Sequence, residues 1–414
     1  MNLKKMNLII EQILLLYSYN IYDDNIIQLI VKQNKYILRD IFDTYKNKLN
    51  VKYLSANCNA LDLLLEPEYI NKISIDRLCN VQSTNLSKTL CKLYYSGIYD
   101  FKVFLRNKGT LSYNQYTVDF ITENPRCVNY DSLASNKMAK DLLLYLIPIL
   151  DKKKIERYGN YFFLFLFRNE NMMEYVANNI QMLSNLYKID QSRIAKQLSR
   201  NPNCFEFWKI RKTDFNNIIN NITLVKLFDN YIDLQELLCN ENIDNISKEL
   251  NFNIIDFYNK FMSSSNIPEV YKQYTYDSNV FWTIVISRKC KSLDFLTNFK
   301  HNLDYKELCC NEYAIPLLVE YTNKNYLNWD TLSLNKNAIS ILKDNIDRIN
   351  WDNLSLNINA IDILKSHKDK INYENLALNI NAIELLEEYI ITNKKYSKTF
   401  WNNLSTNPSI FYVF

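Results

Sequence analysis

An eleven-residue phrase is written four times between Trp329 and Phe414: Trp329-Asp-Thr-Leu-Ser-Leu-Asn-Lys-Asn-Ala-Ile, Trp351-Asp-Asn-Leu-Ser-Leu-Asn-Ile-Asn-Ala-Ile, Tyr373-Glu-Asn-Leu-Ala-Leu-Asn-Ile-Asn-Ala-Ile and Trp401-Asn-Asn-Leu-Ser-Thr-Asn-Pro-Ser-Ile-Phe. The leading aromatics stand 22, 22 and 28 residues apart. Such a period belongs to an array in which each unit contacts only its neighbours, and 414 residues are too many for one ordinary core. Three Gly and seven Pro leave little material for tight turns or strand-rich folds, whereas 48% apolar residues can fill a continuous core. The units are therefore expected to be helical.

With the leading aromatic as position zero, leucine falls at plus three (Leu332, Leu354, Leu376, Leu404) and asparagine at plus six (Asn335, Asn357, Asn379, Asn407). An apolar pair follows at plus nine and ten, and a further apolar residue at plus thirteen, which makes Phe414 a core position. Asn407-Pro408 suits an N-cap followed by the first helical residue, so the plus-six asparagine should cap a second helix with an apolar face at plus nine, ten and thirteen. Asn328, Asn350 and Asn372, each preceded by Leu or Ile and followed by the plus-three leucine, should cap the first helix with a hydrophobic staple. Two helices of about seven and ten residues are too short to persist alone. Their aromatics and leucines are expected to form the core between repeats.

The same ruler fits upstream. Tyr305, Leu308, Asn311, Ala314-Ile315 and Leu318 match in full, while Trp282 carries Val285 and, after a one-residue slip, Leu293 and Leu296. Fainter copies carry Asn240, Asn201, Asn169, Asn136 and Asn57. The predicted organisation is all-α: an α-solenoid of short helix pairs with a repeat of 22–24 residues. It comprises a helical cap over 1–49, degenerate repeats over 50–94, an insertion over 95–120, degenerate repeats over 121–304 and regular ones over 305–414. The insertion contains Phe101-Lys-Val-Phe-Leu-Arg-Asn-Lys-Gly109, which reads as a small β-hairpin or a long loop.

The copies W-x-x-L-S-x-N-x-x-A-I-x-x-L resemble the short Asn/Leu-rich helical repeats of proteins from giant nucleocytoplasmic DNA viruses. The likeness is sharp over 305–414 and diffuse over 50–300, and the abundance of Asn, Lys, Ile and Tyr fits such AT-rich genomes. The resemblance implies an α-solenoid, a viral origin and no residue roles to carry over. The rival architecture is a leucine-rich repeat, whose period covers this one. That fold needs an inward leucine at plus five, where this chain has Leu334, Leu356 and Leu378 but also Thr406, Cys310, Arg200, Ser135 and Ala56. A half-exposed helix end suits that mixture better than a buried strand.

Composition narrows the function classes. A net charge of +4 from 49 basic and 45 acidic residues offers no broad cationic face, which disfavours nucleic acid. The clusters Lys152-Lys153-Lys154 and Lys394-Lys395 read as solvated turns. Nine scattered cysteines without a Cys-x-x-Cys point to a reducing compartment, the host cytoplasm, and no stretch resembles a membrane span.

Phosphate loops and dinucleotide folds need clustered glycines, and Gly97, Gly109 and Gly159 are isolated. His301 and His367 are the two histidines, too few for zinc sites built on paired histidines; His367 suits a helix C-terminus. One thiol of Cys309-Cys310 should pack while the other faces out, and Glu387-Glu388 should lie on a solvated helix surface. No catalytic, cofactor-binding or metal-binding residue is assigned.

The expected function is a non-enzymatic repeat scaffold for protein–protein interaction, with binding carried by the variable positions of the array. One alternative makes the first 50 residues an F-box-like module, through Asp24-Asn-Ile-Ile-Gln-Leu-Ile-Val and Ile37-Leu-Arg-Asp-Ile-Phe, with the repeats as a substrate receptor of a ubiquitin ligase. The other is a helical array binding nucleic acid.

Overall fold

A computed structural model describes residues 36–148, 161–187, 190–223, 232–269, 278–320, 326–393 and 395–413, with the isolated positions 226, 227, 230 and 272. The fold is all-α. Its one sheet among the described residues pairs β1 (Tyr36–Leu38) with β2 (Phe411–Val413), antiparallel, with Ile37 opposite Tyr412. The chain forms two compact units, residues 1–104 together with 354–414, and residues 105–353.

Both units are built from the same copy. In the second unit the helix Trp329–Leu334 starts at Asn328, whose side chain accepts the Thr331 N–H at 3.1 Å. The preceding Leu327 and the plus-three Leu332 are both buried, as the staple requires. In the first unit Asn372 caps Tyr373–Leu376 in the same way, beside buried Ile371. The helix stops where the plus-six asparagine leaves helical backbone, at φ −72°, ψ 112° for Asn335 and φ −78°, ψ 116° for Asn407. Its Oδ1 then accepts the N–H two residues on, from Asn337 and Ser409 respectively.

The amide nitrogen of that asparagine makes the link between copies. In the second unit Asn136 Nδ2 donates to the carbonyls of Ser112 and Asn114, Asn240 to those of Ser199 and Asn201, and Asn335 to those of Cys309 and Asn311, at 2.8–3.3 Å. In the first unit Asn379 donates to Ser355 and Asn357, and Asn407 to Ala377 and Asn379. These asparagines are almost fully buried. A second link runs through the plus-four serine. Ser333 Oγ donates to the Trp329 carbonyl and accepts the Asn350 N–H, and Ser112, Ser199, Ser287, Ser355 and Ser405 accept equivalent N–H groups.

Within the first unit, stacking order departs from sequence order. Asn57 Nδ2 donates to the Ser405 and Asn407 carbonyls, and the Asn50 N–H reaches Ser405 Oγ, so the copy at 50–61 follows the copy at 401–410 as its next neighbour. The β1–β2 pair closes the same junction, extended by the Arg39 N–H to the Ile410 carbonyl.

The structure corrects five expectations. Residues 95–120 are helical, at Phe101–Arg106 and Lys108–Tyr113, because Leu111, Ser112 and Asn114 supply the plus-three, plus-four and plus-six positions of a further copy. The expected helical cap begins its described part as a strand, Tyr36–Leu38, because its backbone pairs with Phe411–Val413; the helix Asp40–Thr44 follows. Residues 1–35 and Phe414 lie outside the described residues, as do most of the F-box-like positions.

The plus-six asparagine starts a single tight turn, and the α-helical part begins at plus ten, as in Ile339–Lys343 and Ile361–Ser366. The buried positions are consequently plus nine, twelve and thirteen (Ala338, Ile341, Leu342), and plus ten is half-buried. Trp329, Trp351 and Tyr373 are also only half-buried, since the N-cap places position zero at the helix start; Trp401 alone of the four is buried. Finally, the slip at Trp282 is a π-helical stretch, Phe281–Ser287, in which Ser287 Oγ donates to a carbonyl five residues back instead of four.

A buried side chain that satisfies two carbonyls and one N–H has no apolar substitute. Replacing Asn379 by Ala should lower stability by about 3 kcal/mol, because several buried groups lose their partners. Replacing Asn381, whose single inter-copy bond is exposed, should cost less than about 0.5 kcal/mol. Urea unfolding of both variants followed by circular dichroism tests this, and equal effects would refute the ladder as the main directional link.

Candidate binding groove

Where the ladder turns its asparagines inward, it turns plus five, seven and eight outward. The plus-eight side chain makes a third link along this edge. Asn381 Nδ2 donates to the Ile358 carbonyl at 2.9 Å, Asn59 Nδ2 to the Pro408 carbonyl at 3.0 Å, and Ser409 Oγ to the Ile380 carbonyl. Asn171, Asn242 and Asn337 do the same in the second unit. With the turn backbone satisfied, the plus-seven side chain is left facing solvent.

In the first unit this edge deepens into a groove of about 530 Å³. Ile380, Ile383 and Pro408 form an apolar bed beside Asn59, Asn381 and Ser409, and Phe411, Tyr412 and Arg39 form the wall given by the strand pair. Ile380 is 44% exposed and Phe411 3%, so the apolar surface on offer is mainly that of the turn. The Arg39 guanidinium lies 4.4 Å from the Tyr412 ring centre and 3.2 Å from Glu387 Oε1, while its buried Nε has no hydrogen-bond partner. These side chains offer apolar contact, amide and hydroxyl hydrogen bonds and one guanidinium, which is the chemistry of recognition.

Elsewhere the same edge is charged and internally paired. Plus-five arginines meet plus-two residues of the next copy: Arg168 with Gln197, Arg200 with Glu236 at 2.5 Å, and Arg288 with Glu307 at 3.0 Å. The Glu236 carboxylate raises the Arg200 guanidinium further above its ordinary range by hydrogen bonding. Leu334 and Leu378, at plus five, are 46% and 42% exposed, which removes the leucine-rich-repeat reading.

The residues singled out in the sequence do not converge. His301 is exposed in a single turn, and His367 sits at a helix C-terminus with Nδ1 3.0 Å from the Ile363 carbonyl. Cys309 is buried, donating to the Tyr305 carbonyl at 3.2 Å, with its thiol pushed up to about 11 by burial, while Cys310 is half-buried. Glu388 pairs with Lys368, and Glu387 is drawn to Arg39 instead of lying free on the surface. Lys152–Lys154 fall outside the described residues. Among the described residues no group of three His, Cys, Asp or Glu could hold a metal ion, and no helix is long and apolar enough to cross a membrane.

Sequence reasoning missed the groove, whose Arg39 and Phe411 come from opposite ends of the chain. The serine and plus-eight links had a visible signal, the Ser of Leu-Ser and the second Asn of Asn-x-Asn, present in most regular copies.

Arg39 gains an ion pair and a ring contact but buries an unpartnered Nε. These oppose one another, so Arg39→Met should change stability by less than about 1 kcal/mol in either direction. A change above about 2 kcal/mol in urea unfolding would show that one contribution dominates.

No family model, no curated protein and no solved structure matches the chain.

Proposed function

We propose that the protein is a non-enzymatic repeat scaffold that binds another protein along the plus-five to plus-eight edge of its stacked copies, with the first unit's groove as the principal contact. The observation that carries this reading is the division of labour within the copy. The plus-six asparagine, plus-four serine and plus-three leucine face inward and hold neighbours together, whereas plus five, seven and eight face outward and include exposed Leu334, Leu378 and Ile380. An edge of side chains free to vary over a fixed backbone is how stacked helical repeats present a surface to a partner. The viral setting and the host cytoplasm follow from the resemblance of the repeats and the scattered thiols.

Affinity capture with the full chain from extracts of cells that produce it should return one stoichiometric partner. The double variant Leu378→Asp/Ile380→Asp should weaken that capture at least about tenfold, as expected for loss of apolar anchors, with its unfolding midpoint unchanged. Failure to find a stoichiometric partner, or a partner indifferent to this variant, overturns the proposal.

A further inference from the structure

Among the described residues, all junctions but one between neighbouring copies within a unit carry a plus-six amide link, a plus-four hydroxyl link, or both. Val81 replaces the asparagine in its copy, but Ser55 Oγ still accepts the Ser74 N–H. Ala134, Phe167 and Ala377 replace the serine, but Asn169, Asn201 and Asn407 still donate to the carbonyls at those positions.

The junction between the copies of Asn240 and Cys290 is the exception among the described residues. Leu238 has no hydroxyl and Cys290 no amide; the Cys290 Sγ turns instead to the Ser292 carbonyl at 3.8 Å. On its other side the same copy is linked normally, since Asn311 Nδ2 donates to the Ser287 and Cys290 carbonyls. The π-helical stretch Phe281–Ser287 lies in this copy, and Trp282 Nε1 is buried there without a partner. What spans the junction is one weak thiol bond, from Cys239 Sγ to the Val285 carbonyl at 3.8 Å, and aromatic packing. Tyr258 faces Phe281, Trp282, Phe295 and Phe299 with ring centres 5.1–6.1 Å apart. Ring contacts tolerate sliding and reorientation in a way that paired amide bonds do not.

We propose that this junction is a built-in seam at which the second unit opens and recloses, separating the copies up to Asn240 from those beginning at Phe281. The device is a local loss of the amide and hydroxyl links, with a weak thiol bond and aromatic packing left to hold the two faces. It is independent of any partner.

Three fully buried thiols report on it in the unmodified chain: Cys290 at the seam, and Cys204 and Cys309 in linked copies. Iodoacetamide labelling followed by peptide mass spectrometry should modify Cys290 at least about tenfold faster than the other two, since a buried thiol reacts only through opening. Cys290→Asn restores the missing donor, and should slow amide exchange in Ile254–Ser263 about tenfold. As the converse, Asn335→Leu should speed Cys309 labelling. Equal labelling of the three thiols in the unmodified chain overturns the proposal whether or not the variants fold. A folded Cys290→Asn with unchanged exchange also overturns it.

Discussion

The buried primary amide of the plus-six asparagine is the interaction on which the architecture rests. It ends the first helix by leaving helical backbone, starts the following turn through Oδ1, and fixes the preceding layer through Nδ2. One side chain thereby satisfies backbone groups that short helices would otherwise leave open at their ends. This explains how helices as short as four to six residues, far below the length stable in water, persist in the folded protein. Their hydrogen-bond deficit is made good by neighbours, so no copy is complete alone.

The plus-four position shows how much variation such a link tolerates. Serine there bridges its own helix and the next N-cap, and Cys309 makes the same local bond with sulfur to the Tyr305 carbonyl. Alanine and phenylalanine surrender the link but keep the packing, and the amide carries the junction. Redundancy of this kind lets individual copies drift in sequence while the layers remain in register.

The fold class and most copies could be read from the chain because each requirement leaves a mark at a fixed offset. Leu332, Asn335 and Ala338 recur as Leu166, Asn169 and Met172, and as Leu54, Asn57 and Ala60, all buried. The copy at Leu111-Ser112-Asn114 escaped because Lys108 and Gly109 stand where the aromatic start is expected. The direction of Nδ2 escaped for a different reason. A cap can be inferred from neighbouring residues, but a bond to a carbonyl 21 to 41 positions away, or 350 away for Asn57, belongs to the stacking alone. The groove was out of reach on the same ground, since nothing near Phe411 in sequence points to Arg39.

The stacking of the copy at 50–61 upon that at 401–410 has a consequence for biosynthesis. The bonds that join them span about 350 residues of sequence, as in Asn57 to Asn407. A ribosome makes the donor layer long before its acceptor layer exists, and the chain between them includes the whole second unit. Until the last copies emerge, the apolar face of the first ones has no mate, an exposure that favours association with holding chaperones. Closure of so distant a contact also slows folding. The first unit is thus completed only after the second has been made, although residues 36–104 of the first precede it in the chain.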